Sequence, residues 1–319
     1  MRQSTFASQR SFEKYGRKSK REQFLETMGV VVPWGELESV IEPHYAKAGN
    51  GRQPVGLPIM LRIYFLQHWF HLSDPGAEEA LYESPVLRRF AGVDLGHAAA
   101  PDETTILRFR HLLEQHDLCG KLLDTVNLYL DGKGIRIATG TIVDATIIHA
   151  PSSTKNKKKE RDPEMHQTRK GRQWYFGAKA HIGVDSKEGI VHSVCTSAAS
   201  VADVHMLPDL LHGEERKVWG DGGYQGQGDA IRQAAPQAQD MTCRRTKYKN
   251  WVDEEAKRKN TTKSRVRAKV EHVFRILKRV FGFTKVRYRG LQKNHQWLCA
   301  AFALVNLYQH RKRLALLGA

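Results

Sequence analysis

The sequence predicts a mixed α/β domain, five strands with helices, preceded by an all-helical region. Three observations lead there. Up to about residue 130, apolar residues recur at helical spacing between Pro, Gly and Asp punctuation. From about residue 135 the chain turns to short β-branched runs separated by turn residues. In that second part three acids, Asp144, Asp221 and Glu271, stand in or beside apolar runs on separate elements.

The chain has 319 residues, 40% of them hydrophobic, enough for one large or two ordinary domains with a sizeable core. No apolar run approaches the roughly eighteen residues of a membrane span. The first twenty residues are polar and basic and lack the apolar segment of a secretory signal. Cys119, Cys195, Cys243 and Cys299 are far apart with no CxxC pair, which indicates neither a zinc knuckle nor a disulfide framework. They read as reduced thiols of a cytoplasmic protein. Fifty-one Lys and Arg against thirty-four Asp and Glu give a formal charge of +17. Such a field attracts a polyanion, although a merely soluble or ribosome-associated basic protein carries the same charge. Neither GxxxxGK[ST] nor GxGxxG occurs, so nucleotide-binding loops have no support.

Residues 1–30 form a basic arm, with Arg17, Lys18, Lys20 and Arg21 leading into a short helical pattern at 22–28. It reads as an arm that orders on DNA or as a solvated tail. Residues 31–132 are helical throughout. The pattern at 37–45 has an apolar face. Pro58 opens a stronger helix over 58–70, apolar around much of its circumference through Ile59, Leu61, Ile63, Phe65, Leu66 and Trp69. Asp74 reads as the N-cap of 75–82, and a short element follows at 85–90. Asp102 or Thr104 caps 106–115, a helix left basic by Arg108 and Arg110. The last helix spans 117–130. Short helices with basic residues suit a helix-turn-helix-like DNA-binding module or a helical dimerisation domain.

The catalytic-looking part covers 135–312. Residues 135–138 and 141–148 read as strands. A basic insertion at 152–174, with Lys155, Lys157, Lys158 and Lys159, has almost no apolar content and cannot be core. Trp174 and Tyr175 close it, an aromatic pair suited to base stacking or to core packing. Strands follow at 175–184 and 190–196, then a helix at 203–211 capped by Asp203, a strand at 216–219 and a helix at 225–234. One more short strand, 239–243, runs into Arg244, Arg245, Lys247 and Lys249. Counting 135–148 as one strand, the order is β-β-β-α-β-α-β-α through a helix at 263–281, and a last helix follows at 292–311.

An aspartate inside the β-branched run Thr141-Ile142-Val143-Asp144-Ala145-Thr146 costs several kcal/mol to bury unless something pairs with it or binds it. Asp221 ends the short apolar run Val218-Trp219, and Gly222 and Gly223 leave room beside its carboxylate. Glu271 lies next to the helical stripe Val266, Val270 and Phe274. Each has a structural alternative: a hydrogen bond to a loop for the aspartates, a helical ion pair with Arg267 for Glu271. Three carboxylates on separate elements can also converge on divalent metal, as two-metal phosphoryl transfer requires. Arg267, Lys278 and Arg275 share that helix and suit phosphate contacts. His181 and Asp185 lie close enough along the second strand to reach the site, whereas His272 points elsewhere on its helix.

Taken together, these motifs resemble bacterial insertion-sequence transposases of the IS5 group, DDE transposases with a ribonuclease H-like catalytic fold. The resemblance spans Gly51-Arg52-Gln53-Pro54, Ala80-Leu81-Tyr82-Glu83 and Pro101-Asp102-Glu103-Thr104-Thr105 in the helical part. It continues in Val143-Asp144-Ala145-Thr146, Lys179-Ala180-His181-Ile182-Gly183-Val184-Asp185 and Asp221-Gly222-Gly223-Tyr224. The family's last motif sets a tyrosine, an arginine, a glutamate and a lysine at fixed spacing. Arg267, Glu271 and Lys278 fit it, and Ser264 stands where the tyrosine belongs. The resemblance implies that Asp144, Asp221 and Glu271 bind two Mg²⁺ ions, with Mn²⁺ as a substitute, to cut element ends and join them to target DNA. It implies double-stranded DNA as partner and at least a homodimer when two ends are assembled. Two other readings remain at this point: a DNA-binding remnant without activity, and a ribonuclease H-like nuclease that cuts without joining.

Overall fold

The computed structural model describes residues 17–50, 53–246 and 252–317. The first sixteen residues of the arm, Gly51, Arg52, Lys247 and Lys249 lie outside the described residues.

The helical region opens with α1 (Lys20–Val31), whose first turn is capped by Ser19 Oγ accepting from the Glu22 amide at 3.1 Å. α2 (Trp34–Ile41) leads to α3 (Leu57–Phe70), the centre of the region as its composition demands, with Met60, Leu61, Ile63, Tyr64, Phe65, Leu66 and Trp69 buried. α4 (Asp74–Glu83) corrects one expectation. Its cap is Ser73, whose hydroxyl accepts from the Gly76 amide at 3.0 Å, which leaves the Asp74 carboxylate free to turn inward. α5 (Pro85–Ala91) follows, then α6 (Glu103–Gln115), capped by Asp102 through the Thr105 amide at 2.7 Å, and α7 (Leu118–Gly132).

Arg110 of α6 is the second correction. It was expected on DNA, but its side chain is only 6% exposed, bonded to Asp74 at 3.1 Å and Glu114 at 2.7 Å. The Tyr288 ring lies 3.9 Å from its guanidinium. These partners sit far off in sequence or one turn along, so a residue that looks like surface charge closes a buried network between the helical region and the C-terminal part.

The sheet holds six strands among the described residues: β1 (Gly140–His149), β2 (His166–Lys170), β3 (Gln173–Asp185), β4 (Val191–Ala198), β5 (Lys217–Trp219) and β6 (Gln239–Asp240). β4, β3 and β1 are antiparallel neighbours, and β1, β5 and β6 are parallel. With β2 set apart, the spatial order β4-β3-β1-β5-β6 is the mixed five-stranded sheet of the ribonuclease H-like fold. β2 is the strand the sequence hides. It is a charged, exposed segment of the basic insertion that forms a hairpin with the outer end of β3 and buries almost nothing. Conversely, 135–138 is not a strand. It links α7 to β1, with Ile135 buried and the Ala138 amide donating to Asp185 at 2.8 Å. Asp185, fully buried, also accepts from the Lys187 amide at 2.9 Å, so it clamps the turn after β3 and does not reach a site.

The expected helix at 203–211 is two tight turns, Asp203–Met206 and Pro208–Leu210, because Pro208 cannot supply the amide that would continue the first. α8 (Gly228–Ala234) precedes β6. α9 (Glu254–Arg275) starts earlier than its apolar stripe suggests, capped by Asp253 through the Ala256 amide at 2.8 Å, and runs into a π turn at Ile276–Val280. α10 (Leu291–Leu317) threads the middle of the molecule.

Alternation along β1 sorts its side chains to two faces. Ile142 and Ile148 join a core that runs from Leu25 of α1 through α3 and α7 to Val270 and Val273 of α9 and Leu314 of α10. Val143 points the other way, into a smaller cluster with Leu207, Val218, Tyr224 and Ile231. The helical region and the sheet therefore share one apolar core.

Candidate active site

Pairing register alone brings the first two acids together. β1 and β5 run parallel only as far as Ile142 opposite Trp219. Asp144 and Asp221 each lie two residues beyond that last pair, on strands that neighbour at about 4.8 Å. Past Ile142, β1 keeps β3 on one edge, with Asp144 opposite Ile182, and its other edge opens. A cleft of about 220 Å³ follows that edge, lined by Asp144, Asp221, Asp203 and Lys179 and by Thr168 and Lys170 of β2. A larger hollow of about 490 Å³ lies by Asp240, Asp253 and Lys263 and holds none of the three acids expected to act.

The Asp144 side chain is 19% exposed. One carboxylate oxygen accepts from the Ala145 amide at 2.8 Å and the other faces Arg267 at 3.4 Å. Burial pushes its pKa up to about 6. The Ala145 amide and Arg267 pull against that rise, and the charge of Asp221 adds to it. Asp221 caps the turn Gly222–Tyr224, its carboxylate accepting from the Gly223 amide at 2.8 Å. The glycines around it stand where space for a side chain is tight. A Cβ on Gly223 would stand 2.9 Å from the Asp221 carboxylate, and one on Gly220 would stand 3.0 Å from the Tyr224 ring.

α9 lays a basic edge along β1. Arg267 meets Asp144, and Lys278, set in the π turn, donates to the Ile147 carbonyl at 2.7 Å. Burial, with some help from Lys170, lowers the Lys278 pKa to about 8, and a bound anion would restore it. Glu271 stands between these two on the helix, but its side chain is exposed and not among the groups lining the cleft. The structure thus joins Asp144 and Asp221 and leaves Glu271 beside them, on the solvent side of α9.

The remaining basic candidates are spread. Arg275 is exposed and donates to His272 Nδ1 at 3.3 Å. Arg244 and Arg245 are exposed just past β6, Arg108 is exposed on α6, and Lys155, Lys157, Lys158 and Lys159 are exposed in the insertion. Trp174, 65% exposed, is not core, whereas Tyr175 is half-buried against His149. Lys179 and Asp203 also line the cleft, and Tyr224 lies behind it. Asp203 caps nothing and instead takes an ion pair from Lys179 at 2.8 Å. Tyr224 is fully buried behind Asp221. Their signals were present in the runs Lys179-Ala180-His181 and Asp221-Gly222-Gly223-Tyr224, but no spacing rule ties Asp203 to either.

A family model described as a transposase DDE domain matches residues 136–307, more than half of the chain. The chain belongs to the DDE transposases. A second model, described as a transposase domain, matches residues 13–112, the helical part, and the two together mark an insertion-sequence transposase. No solved structure matches the chain. Among the described residues no helix of this transposase is long and apolar enough to cross a membrane, and the four cysteines are free.

The donor set of the transposase suits a hard divalent ion in part. Among the described residues no three His, Cys, Asp or Glu side chains are grouped closely enough to hold one ion. Asp144 and Asp221 nevertheless fit an ion that keeps several of its waters, as Mg²⁺ does, because it asks for only one or two carboxylates. A cation there would also offset the burial that raises Asp144 and the smaller push from the Asp221 charge.

Proposed function

We propose that this transposase binds the ends of its own element as double-stranded DNA, hydrolyses the phosphodiester there, and transfers the strand into target DNA in a divalent-metal-dependent reaction. The observation that carries the reading is the shared level of Asp144 and Asp221 beyond the last β1–β5 pair, beneath Arg267 and Lys278. Asp144 and Asp221 would hold the metal, with Glu271 of α9 as the third carboxylate. Two Mg²⁺ ions, or Mn²⁺ in their place, supply Lewis-acid stabilisation of the attacking and leaving oxygens of an in-line displacement. Arg267 and Lys278 bind phosphate on either side of the scissile bond and so orient the strand without reading its sequence. Exposed Lys155, Lys157, Lys158, Lys159, Arg244, Arg245, Arg275 and Arg108 track the flanking backbone. Joining two ends requires two such sites, hence a homodimer or higher assembly on DNA.

The test is cleavage and strand transfer on labelled duplexes bearing the element's ends, with Mg²⁺ or with EDTA. The expected result is metal-dependent 3′-hydroxyl ends and joined products, both lost by at least about a thousandfold in Asp144→Asn, Asp221→Asn and Glu271→Gln while DNA binding persists. Tight binding by the parent protein without any cut on correct ends would overturn the reading, and cutting without joining would reduce it to a nuclease.

A further inference from the structure

The cleft has a second wall. Lys179 and His181 of β3 pair with Ile147 and Ala145, one residue out of phase with Asp144, so their side chains emerge on the opposite face of the sheet. There they meet Asp203, whose carboxylate accepts from Lys179 at 2.8 Å and lies 3.9 Å from His181 Nδ1. Ser197 donates to the Ala198 carbonyl at 3.1 Å, so its oxygen takes the hydrogen bond from His181 Nε2 at 2.8 Å. With that assignment a neutral ring turns a bare Nδ1 lone pair toward the Asp203 carboxylate, acceptor against acceptor, and Nδ1 has no hydrogen-bond partner among the described residues. Ser197 is itself buried, so this is not a hydrolytic Ser–His–Asp arrangement.

Tyr224 makes the same point from the other side. The residue is 0% exposed and its hydroxyl has no hydrogen-bond partner among the described residues, an arrangement that costs stability unless something arrives to accept its hydrogen bond. After burial, the carboxylates of Asp203, Asp144 and Asp221 disfavour ionisation of that hydroxyl, and Arg267 pulls the other way. The turn that carries Tyr224 packs on the turn that carries Asp203, so a donor without an acceptor and a lone pair without a donor lie on the Asp203 side of the sheet. Water held in place between them would satisfy both.

We infer that Tyr224 and Asp203 form an outer half of the cation site, fixing the water shell of a divalent ion held by Asp144 and Asp221, and that Lys179 neutralises Asp203 until the ion binds. This rests on the proposed metal dependence of the same cleft. Lys179 is tethered to the Val201 carbonyl at 2.7 Å as well as to Asp203, so it can release the carboxylate without losing all its partners.

The experiment is Mn²⁺ titration of the full chain without DNA, read by the electron paramagnetic resonance of free Mn²⁺, with melting followed by circular dichroism. Asp203→Asn and Tyr224→Phe are expected to weaken Mn²⁺ binding by about tenfold, the cost of removing an outer-shell partner. Asp203→Glu should recover part of the loss. Tyr224→Phe should melt no lower than the parent in EDTA, because the oxygen it removes has no hydrogen bond among the described residues. Lys179→Gln should tighten Mn²⁺ binding, an outcome a merely structural ion pair would not give, and this arm decides even if Asp203→Asn folds poorly. If Asp144→Asn abolishes Mn²⁺ binding while the Asp203, Tyr224 and Lys179 variants bind like the parent, the outer half-site is wrong and the metal reading stands. If Asp144→Asn also binds like the parent, or the parent binds no Mn²⁺, the metal reading of the cleft falls and this inference with it.

Discussion

Arg110 holds Asp74 at 3.1 Å and Glu114 at 2.7 Å with the Tyr288 ring against it, whereas Arg267 reaches Asp144 alone, at 3.4 Å. Both are largely buried and both face acids. In the first network each carboxylate has its cation, and Asp74 also accepts from Gln67 at 2.8 Å, so that among the described residues only the Arg110 Nε goes without a hydrogen bond there. The second is short of partners, with one long contact for Arg267, a raised pKa on Asp144 and an unpartnered hydroxyl on Tyr224. A closed network holds a fold, and an open one has room for a ligand.

Breaking each arginine separately tests the contrast. Arg110→Ala should cost about 3–5 kcal/mol in urea unfolding, since it strands two carboxylates in a poorly hydrated joint. Arg267→Ala should cost less than about 1 kcal/mol, because its one ion-pair contact is long, yet abolish strand transfer. Its removal should also raise the Asp144 pKa further, measurable by carboxyl carbon NMR. Equal stability losses from the two variants would erase the distinction.

The same contrast explains how far the sequence could be read. Asp144 stood out because an acid amid β-branched residues contradicts its surroundings, and the glycines after Asp221 pointed to a close approach at its carboxylate. Helix periodicity found α3 and the apolar stripe of α9. Arg110 was misplaced because its partners lie in α4 and beyond the sheet, where no local pattern reports them. β2 was hidden for the opposite reason: a hairpin strand that buries nothing needs no hydrophobic alternation. Asp203 was taken for a cap because it heads a turn, and only pairing of β3 with β1 shows that Lys179 points at it.

A smaller effect of opposite sign is expected at Asp144. Its folded pKa, about 6, lies above the ordinary carboxylate value of 3.8. The folded state then holds its proton more tightly than the unfolded chain, so ionisation costs stability as pH rises from about 4 to 6, and the full cost persists above that. Asp144→Asn should therefore stabilise the EDTA-treated protein by up to about 3 kcal/mol at pH 8, with the gain vanishing near pH 4. Loss of stability at pH 8 would show that the Arg267 contact outweighs burial, and the cleft would then count as closed.

Least effect on the fold is expected where the charge is most concentrated. Lys155, Lys157, Lys158 and Lys159 are all exposed, with no ion pair to an acid among the described residues. Replacing all four with Ala should change unfolding free energy by no more than about 0.5 kcal/mol. Each of these lysines that neutralises a phosphate contributes about 0.9 to the slope of log affinity against log salt, so the variant should bind duplex with a slope shallower by about 2 to 4. An unchanged slope would take the insertion off the DNA and leave the basic edge of α9 to do the holding. Charge that no acid inside the protein claims is the charge available to a polyanion, and that is why Arg110, for all its likeness to these residues in sequence, is expected to contribute nothing to that slope.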